Sequence, residues 1–493
     1  MSHTMIRPPL WTWPELLQAL SLENRGDSGP DVTGVSIDSR SLQPGDLFIA
    51  LDGNPGERFH TSHVSRHDGH DFIHQAEAAG AAALLVHRPV QSRLPQLRVS
   101  DTLDALWDLA RAARTRFSGP VYAVTGSSGK TTAKMFLSAA LGLPLPQGSL
   151  NNFWGVPLCL ARTPAGAPAA VFELGTSHPG EIGPLSTLVR PHIALLLNVL
   201  PAHLAAFQDL QALQREKLSI ARGLQSQGIL VLPGELADRE TGGSTRTEFL
   251  SQPLQIPVPG QQLTFGGSDQ DDVQLMDYDA ARRMADLRCG DQRFQARVPG
   301  GGQHRAMTLA AVAACLMAAG KNVLELRNLT DALVPRGRGD LHSVGGIEIV
   351  DDSYNANPAS LRAALDTLTA ADRTSSTEAQ SSRHFAILGD MLELGETSRA
   401  AHQTLAQACE RLDGVFCIGA EMEALHEALI PRQRLGHLKQ AADFDFSWLE
   451  QLRPGDRVLV KGSNRIFWAQ DFVQDLLQHL KRLHEEKQEI KGN

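Results

Sequence analysis

An α/β fold is predicted, and three observations predict it. Short apolar runs alternate with helical stretches along most of the 493 residues, the pattern of strands and covering helices in a mainly parallel sheet. One run, Val121 to Thr125, leads through a Gly/Ser loop into a helical stretch from Lys130, the strand–loop–helix order of a phosphate-binding loop. Composition is that of a globular protein, 42% hydrophobic and 20% charged, and at roughly 150 residues per domain the length suggests about three domains.

In chain order, residues 47–51 (LFIAL) read as a buried strand after the turn Pro44-Gly45-Asp46. Residues 76–81 are helical in composition, and 82–86 form a second strand. A helix is expected over 102–117, where Leu103, Leu106, Trp107, Leu109 and Ala110 recur at helical spacing. Then follow a strand at 121–125, a helix at 130–141, and strands at 169–174, 193–199 and 228–232. From 235 to 262 the pattern weakens into a Gly/Ser/Thr-rich stretch and short strand-like pieces. A third α/β region begins near Gly337, with strands at 347–350, 384–388, 414–418 and 457–460. Residues 372–383 form a polar loop, and the charged end after Gln478 reads as a solvated helix face.

Several classes are excluded as expectations. The longest apolar stretch, 309–320, is Ala-rich and too short for a bilayer, which needs about 20 residues. The N-terminal residues lack a basic segment followed by an apolar one, so no signal peptide is expected and the location should be cytoplasmic. A net charge of -9 argues against nucleic-acid binding through a broad basic surface. Five cysteines, at 159, 289, 315, 409 and 417, contain no CxxC. They read as small core residues in a reducing compartment, not as a disulfide or zinc framework.

The sharpest local signal is Thr125-Gly126-Ser127-Ser128-Gly129-Lys130-Thr131-Thr132. Glycines let backbone N–H groups approach phosphate oxygens, and the following helix start adds positive potential. Lys130 would reach the outer phosphates of a nucleotide and the Thr131 hydroxyl would ligate Mg²⁺. The loop is shorter than the usual one, with Val124 where a first glycine is customary. Glu173 ends an apolar run and is followed by Gly175, which suggests the carboxyl edge of the sheet, where ligands bind. His203 follows the 193–199 strand at a similar edge. From the residues alone, both are open between site and surface roles. Lys217 reads as a helix-surface lysine, Arg338 as a hinge-loop arginine and Asp352 as a strand-end acid. His60, His63 and His67 have metal-like spacing but read as a solvated loop.

These motifs together resemble the Mur ligases, and within that family the MurF branch. TGSSGKTT resembles the family's ATP loop. The run 351–358 (DDSYNANP), the run 388–396 (LGDMLELGE) with His402, Asn151-Asn152 with Gly155-Val156-Pro157, Glu173-Leu174-Gly175 and Lys461-Gly462-Ser463 are similar to that branch. So are Asp38-Ser39-Arg40, the run 44–48 and Asp68-Gly69-His70-Asp71-Phe72 near the start. The likeness runs in order along nearly the whole chain. A folylpolyglutamate synthase would share the loop chemistry, but the 352–358 run and the N-terminal match disfavour it. A nucleotide-binding protein that has lost turnover is a third reading, suggested by Ala205, Arg305 and Thr308.

The resemblance implies three domains: 1–98 for the UDP end of the substrate, 99–336 as a central P-loop ATPase, and 337–493 as a Rossmann-like domain for an acceptor dipeptide. It implies ATP and Mg²⁺, a UDP-N-acetylmuramoyl-tripeptide and D-Ala-D-Ala as substrates, an acyl-phosphate route, and no nucleic-acid or membrane partner. A monomer is expected. Gly126 to Thr132, with Arg338 and Asp352, are then assigned to ATP, Arg338 to phosphate and Asp352 to ribose. Lys130, Glu173, His203 and Lys217 are assigned to catalysis, with Thr131, Glu173, His203 and a carbamylated Lys217 supporting metal. Ser39, Arg40, Asn151, Asn152 and Ser177 are assigned to the UDP substrate, and Asn355, Asn357, Lys461 and Ser463 to the dipeptide. The chain departs from the family's pattern at four positions and one segment. Arg305 and Thr308 stand where two Asn usually lie near adenine, which leaves open how the base is held; stacking by Arg305 is one way. Ala205 replaces a Glu and Ser177 an Asn, and 54–66 reads as an insertion.

Overall fold

The computed structural model describes residues 8–23, 28–54, 67–146, 148–201, 206–207, 209–237, 261–370 and 382–492. They build three sheets in sequence. The first is wholly parallel, in the order β1 (Gly34–Ser36), β2 (Asp46–Ile49), β3 (Ala83–Val86) and β4 (Gln96–Arg98). The second holds β5 (Val121–Thr125), β6 (Ala170–Glu173), β7 (Ile193–Leu196), β8 (Ile229–Pro233), β9 (Gln261–Gly266), β10 (Val273–Asp279), β11 (Met284–Cys289) and β12 (Gln292–Arg297). Its spatial order is β12-β11-β10-β9-β8-β7-β5-β6. The third holds β13 (Asp340–Val344), β14 (Ile347–Asp352), β15 (His384–Gly389), β16 (Gly414–Ile418), β17 (Arg434–Leu438) and β18 (Arg457–Lys461), in the order β13-β14-β18-β15-β16-β17.

The middle sheet is covered on both faces, which is why its central strands are apolar throughout. Along β5, Tyr122 and Val124 enter one core, built with the helices Lys130–Ala140 and Gln303–Ala318. Val121 and Ala123 enter the other, with the helix Ile182–Val189. Strand β7 alternates in the same way, as the two-residue side-chain period requires. The apolar stretch 309–320 lies in the helix Gln303–Ala318 and its flank, and its first eight residues are wholly buried. Among the described residues no helix is long and apolar enough to cross a membrane. All five cysteines are free and four are buried.

Two differences from the expected pattern stand out. The middle sheet does not end at β9: β10 to β12 extend it, with β10–β11 and β11–β12 antiparallel. The helix Thr102–Arg116 also packs against the first sheet, placing Leu103, Leu106 and Leu109 beside Leu47, Ile49 and Leu85. That contact joins the first two layers, as do the Trp11 indole N–H on Ala161 O at 2.9 Å and Arg162 Nε on Val35 O at 2.6 Å. The loop read at 372–383 lies outside the described residues except for its last two positions, and His60, His63 and most of the 54–66 segment lie outside them too.

Candidate active site

Strand β5 is flanked by β6 on one side and β7 on the other. The chain therefore passes from β6 across β5 to β7, and the loop after β5 leaves the sheet where the strand order reverses, the customary ligand crevice of such sheets. Gly129, at φ +80°, turns the loop into the helix Lys130–Ala140, a left-handed conformation costly for other residues. Lys130 folds back and its Nζ donates to Gly126 O at 2.8 Å. Burial, with Arg338 nearby, pushes its ammonium pKa down, against the pull of Glu173. The N–H groups of Ser127 and Ser128 both donate to Asn198 Oδ1 at 3.0 Å, and Asn198 Nδ2 donates to Ser128 O at 3.1 Å. Asn198 follows β7, so the neighbouring strand's exit braces the loop.

Glu173, 2% exposed at the end of β6, is the centre of the floor. Thr131 Oγ1 donates to Oε2 at 2.9 Å, Ser149 Oγ to Oε1 at 2.9 Å, and Asn151 Nδ2 to Oε1 at 2.7 Å. Lys134 Nζ lies 3.5 Å from Oε2. Burial alone would raise the carboxyl pKa. The charges of Lys134, Lys130 and Arg338 and the Asn151 bond outweigh it, and the pKa is lowered, so Glu173 is an anion. The 2.9 Å between Thr131 Oγ1 and Glu173 Oε2 matches neighbouring ligands of an octahedral Mg²⁺ with bonds of about 2.0–2.1 Å. An all-oxygen pair of this spacing fits that ion. Lys217, in the helix Leu210–Leu218, is 1% exposed, and burial first, then Lys130, lowers its pKa well below the ordinary lysine value. This is a buried amine, not the surface lysine that the residues alone suggest. His203 and Ala205 lie outside the described residues.

The third sheet supplies the opposite wall. Arg338 stacks its guanidinium over Tyr354, 4.1 Å from the ring centroid. Asp352 and Lys461 end adjacent parallel strands in register, and Lys461 Nζ sits 2.7 Å from Asp352 Oδ2 while donating to Asn355 O at 2.9 Å. The pair assigned from resemblance to ribose and dipeptide is thus joined in one ion pair, its lysine buried and its acid partly open to the cavity. Asn357 Oδ1 accepts from Ser360 N at 2.8 Å and caps the helix Pro358–Ala370, and Ser463 Oγ accepts from Leu392 N at 2.8 Å. In the 388–396 run, Met391 N donates to the buried His402 Nε2 at 2.9 Å and Met422 N to Asp390 Oδ1 at 2.9 Å. Those two side chains hold loop backbone.

The two walls share one cavity of about 680 Å³. Its lining includes Ser127 to Lys130, Thr132 and Glu173 from the middle sheet, with Arg338, Asp352, Asn355, Asn357, Lys461 and Ser463 from the third. Asn151, Asn152 and Ser177 also line it; Asn152 Oδ1 is engaged by Gly155 N at 2.9 Å. Ser39, Arg40 and Lys217 do not line it. Arg40 forms a bidentate pair with Asp38, at 2.9 and 2.7 Å, and Ser39 Oγ donates to Gln75 Oε1 at 3.0 Å. Nearby, His70 is held by Asp68 on Nδ1 at 2.7 Å and accepts from His87 N on Nε2 at 3.2 Å. Asp68, His70 and His87 sit within metal-ligand distance of one another, but both His70 nitrogens are already engaged.

Arg305 lines the cavity and also braces backbone. It is 7% exposed, and its guanidinium donates to Gly300 O and Gly301 O at 2.9 Å and to Arg338 O at 2.6 Å. The surrounding protein first, then Arg305 and Lys461, push the His304 pKa below its ordinary value, although its side chain is open to the cavity that it lines. Thr308 Oγ1 donates back to His304 O at 3.0 Å. Sequence reasoning missed Lys134, Ser149 and Asn198. Lys134 carried a signal, one turn beyond Lys130 in an otherwise apolar helix. Asn198 carried another, the first polar residue after an apolar strand.

Three family descriptions match the chain: "Mur ligase family, catalytic domain" over residues 31–114, "Mur ligase middle domain" over 124–316, and "Mur ligase, glutamate ligase domain" over 337–464. The chain is 32% identical, over 84% of its length and 87% of the relative's, to the UDP-N-acetylmuramoyl-tripeptide–D-alanyl-D-alanine ligase of Escherichia coli K12. It superposes on MurF from Acinetobacter baumannii with TM-score 0.76 and 28% identity, covering 95% of this chain and 99% of that one. It also superposes on the MurF ligase of Thermotoga maritima in complex with ADP, with TM-score 0.70 and 27% identity, covering 92% and 98%.

Proposed function

The chain belongs to the Mur ligase family, and from that membership we propose that it joins D-alanyl-D-alanine to UDP-N-acetylmuramoyl-tripeptide, forming the pentapeptide with ATP converted to ADP and phosphate. One observation carries the reading: the phosphate loop and anionic floor of the middle sheet face Arg338, Asp352 and Lys461 of the third sheet across one cavity. A ligase that phosphorylates one substrate and presents it to another needs both walls on one space.

The chemistry follows from charge. A carboxylate is a poor acyl donor because oxide leaves badly, so its oxygen first takes the γ-phosphoryl group of ATP and ADP departs. Both reactants are anions, and positioned cations must offset their repulsion. Lys130 and Arg338 supply fixed positive charge, and the loop N–H groups and helix start receive phosphate oxygens. Mg²⁺, which Mur ligases use, adds cationic charge against the same oxygens when bound, and Thr131 and Glu173 are the described residues that would hold it, with His203 assigned beside them. The dipeptide amine then attacks the acyl carbon, phosphate leaves, and the amine's proton passes to solvent or phosphate. Walls that close over this space keep water from the activated acyl group.

The first sheet, with Ser39 and Arg40, is assigned the UDP end, aided by Asn151, Asn152 and Ser177. Asn355, Asn357, Lys461 and Ser463 are assigned the dipeptide, which requires Lys461 to exchange Asp352 for the peptide carboxylate and leaves Asp352 to the ribose. Rotation of the third sheet about 335–339 is the motion assigned to closure. Boundaries at 98 and 336, a monomeric state and a cytoplasmic location complete the reading.

Lys217 is further assigned a carbamate, formed when its neutral amine attacks CO₂ and releases one proton. Its burial and lowered pKa supply that neutral amine. Lys217→Ala is expected to be nearly inactive and partly restored by a short carboxylic acid; normal turnover by that variant removes the carbamate. For the whole reading, phosphate release must depend on both the tripeptide precursor and D-Ala-D-Ala. Release with either one alone, or with glutamate and a folate, refutes it.

A further inference from the structure

Arg305 is buried, yet three carbonyl oxygens and no carboxylate take its donors. It stands in the first turn of the helix Gln303–Ala318, within the middle sheet's layer. Gly300 and Gly301 belong to the turn that opens this helix. Arg338 belongs to the short connection into β13 of the third sheet. The guanidinium fork therefore spans from one layer to the start of the next, a geometry that an Asn at this position cannot reproduce.

Arg338 is held from two sides. Its carbonyl receives Arg305 NH2 at 2.6 Å, and its guanidinium lies 4.1 Å from the Tyr354 centroid. Its neighbours Gly337 and Gly339 have φ of +70° and +84°, conformations that supply backbone freedom on either side of it. A Cβ on Gly339 would collide with Arg305 NH2, so the glycine also leaves the room in which the fork sits. Arg338 is thus a fixed point between two swivels.

We infer that Arg305 is a positioning residue for the nucleotide step: it pins the Arg338 carbonyl, so that rotation at Gly337 and Gly339 leaves the Arg338 guanidinium facing the phosphate side of the cavity. This rests on the ligase reading above. Loss of the latch frees Arg338 to follow the third sheet away from the nucleotide. The effect falls on ATP and spares the tripeptide precursor.

Steady-state kinetics and amide hydrogen exchange on the full chain test it. Arg305→Ala is expected to raise KM for ATP about 10- to 100-fold, the size of a lost charge-assisted hydrogen bond, with KM for the precursor unchanged. The amides of Arg338, Gly339 and Tyr354, which donate to Pro335, Asp351 and Gly337, are expected to exchange faster. Millimolar guanidinium is expected to restore both, which a purely packing role would not allow. Gly339→Ala, which crowds the fork from the other side, is expected to give the same signature. Unchanged KM for ATP with unchanged exchange in Arg305→Ala overturns the assignment. Should that variant not fold, the same result in Gly339→Ala overturns it. Failure of the unaltered chain to ligate the dipeptide refutes the ligase reading instead, and exchange at the three amides still decides the latch.

Discussion

The two sheet edges that meet at the cavity use lysine and carboxylate differently. At the middle sheet, one anion, Glu173, is shared among Thr131, Ser149, Asn151 and Lys134, with Lys130 close by. Cations outnumber it, so the floor keeps positive charge to spare for phosphate. At the third sheet, Lys461 and Asp352 neutralise each other at 2.7 Å. On that wall Arg338 keeps its charge toward the floor, but Lys461 and Asp352 offer none until a ligand separates the pair. The difference teaches that the floor is arranged in advance for its ligand, whereas the Lys461–Asp352 edge must trade partners to engage one.

The largest expected effect breaks the floor. Lys130→Ala is expected to lower the rate of phosphate release by about 10²–10³-fold or more, the loss seen when one positioned charge donor is removed, with the far-UV spectrum unchanged. A variant retaining most of the rate removes the floor from the comparison. Next comes the wall. Asp352→Asn leaves the Lys461 ammonium with only the Asn355 carbonyl and is expected to cost about 1–3 kcal/mol in denaturant unfolding. The double substitution Asp352→Leu with Lys461→Met is expected to recover much of that stability but no ligation, which separates folding from partner exchange.

A smaller effect lies between the edges, at His304. Its folded pKa lies below the ordinary 6.5, by an amount that water in the cavity screens. The unfolded chain therefore takes up a proton below about 6.5 more readily than the folded chain, and a little stability is lost as pH falls below about 6.5. Urea midpoints between pH 7 and 4 are expected to fall less steeply in His304→Gln. The smallest effect lies outside both edges. The Arg40–Asp38 pair is open to water, with the arginine side chain 86% exposed, so Arg40→Ala is expected to leave stability nearly unchanged. Its expected signature is a raised KM for the UDP precursor alone.

How much of this was legible depends on where each partner lies in the chain. Strands β5 and β16 fall where their apolar runs begin and end, because alternate residues enter cores on both faces and leave no polar interruption. Strands β10 to β12 were not read. They bury Val273, Leu275, Leu287, Phe294 and Ala296 on one face only, and Arg288, Arg293 and Gln295 between these dilute the pattern. The phosphate loop was legible because strand, loop and helix are contiguous. Lys134 was not, since the acid that engages it lies on β6. Arg305 was seen as a departure, but its use was hidden, because its acceptors are backbone carbonyls that no side-chain pattern encodes.

The carboxamide of Asn198 has one more consequence. Its oxygen sits where the N–H groups of Ser127 and Ser128 converge, much as a phosphate oxygen would. Those donors are paired by the protein itself, so the loop's shape is set by its own neighbour on β7. Capture of a phosphate there is a substitution, one acceptor leaving as another enters. The entropy of shaping the loop is thereby met at folding and not at binding.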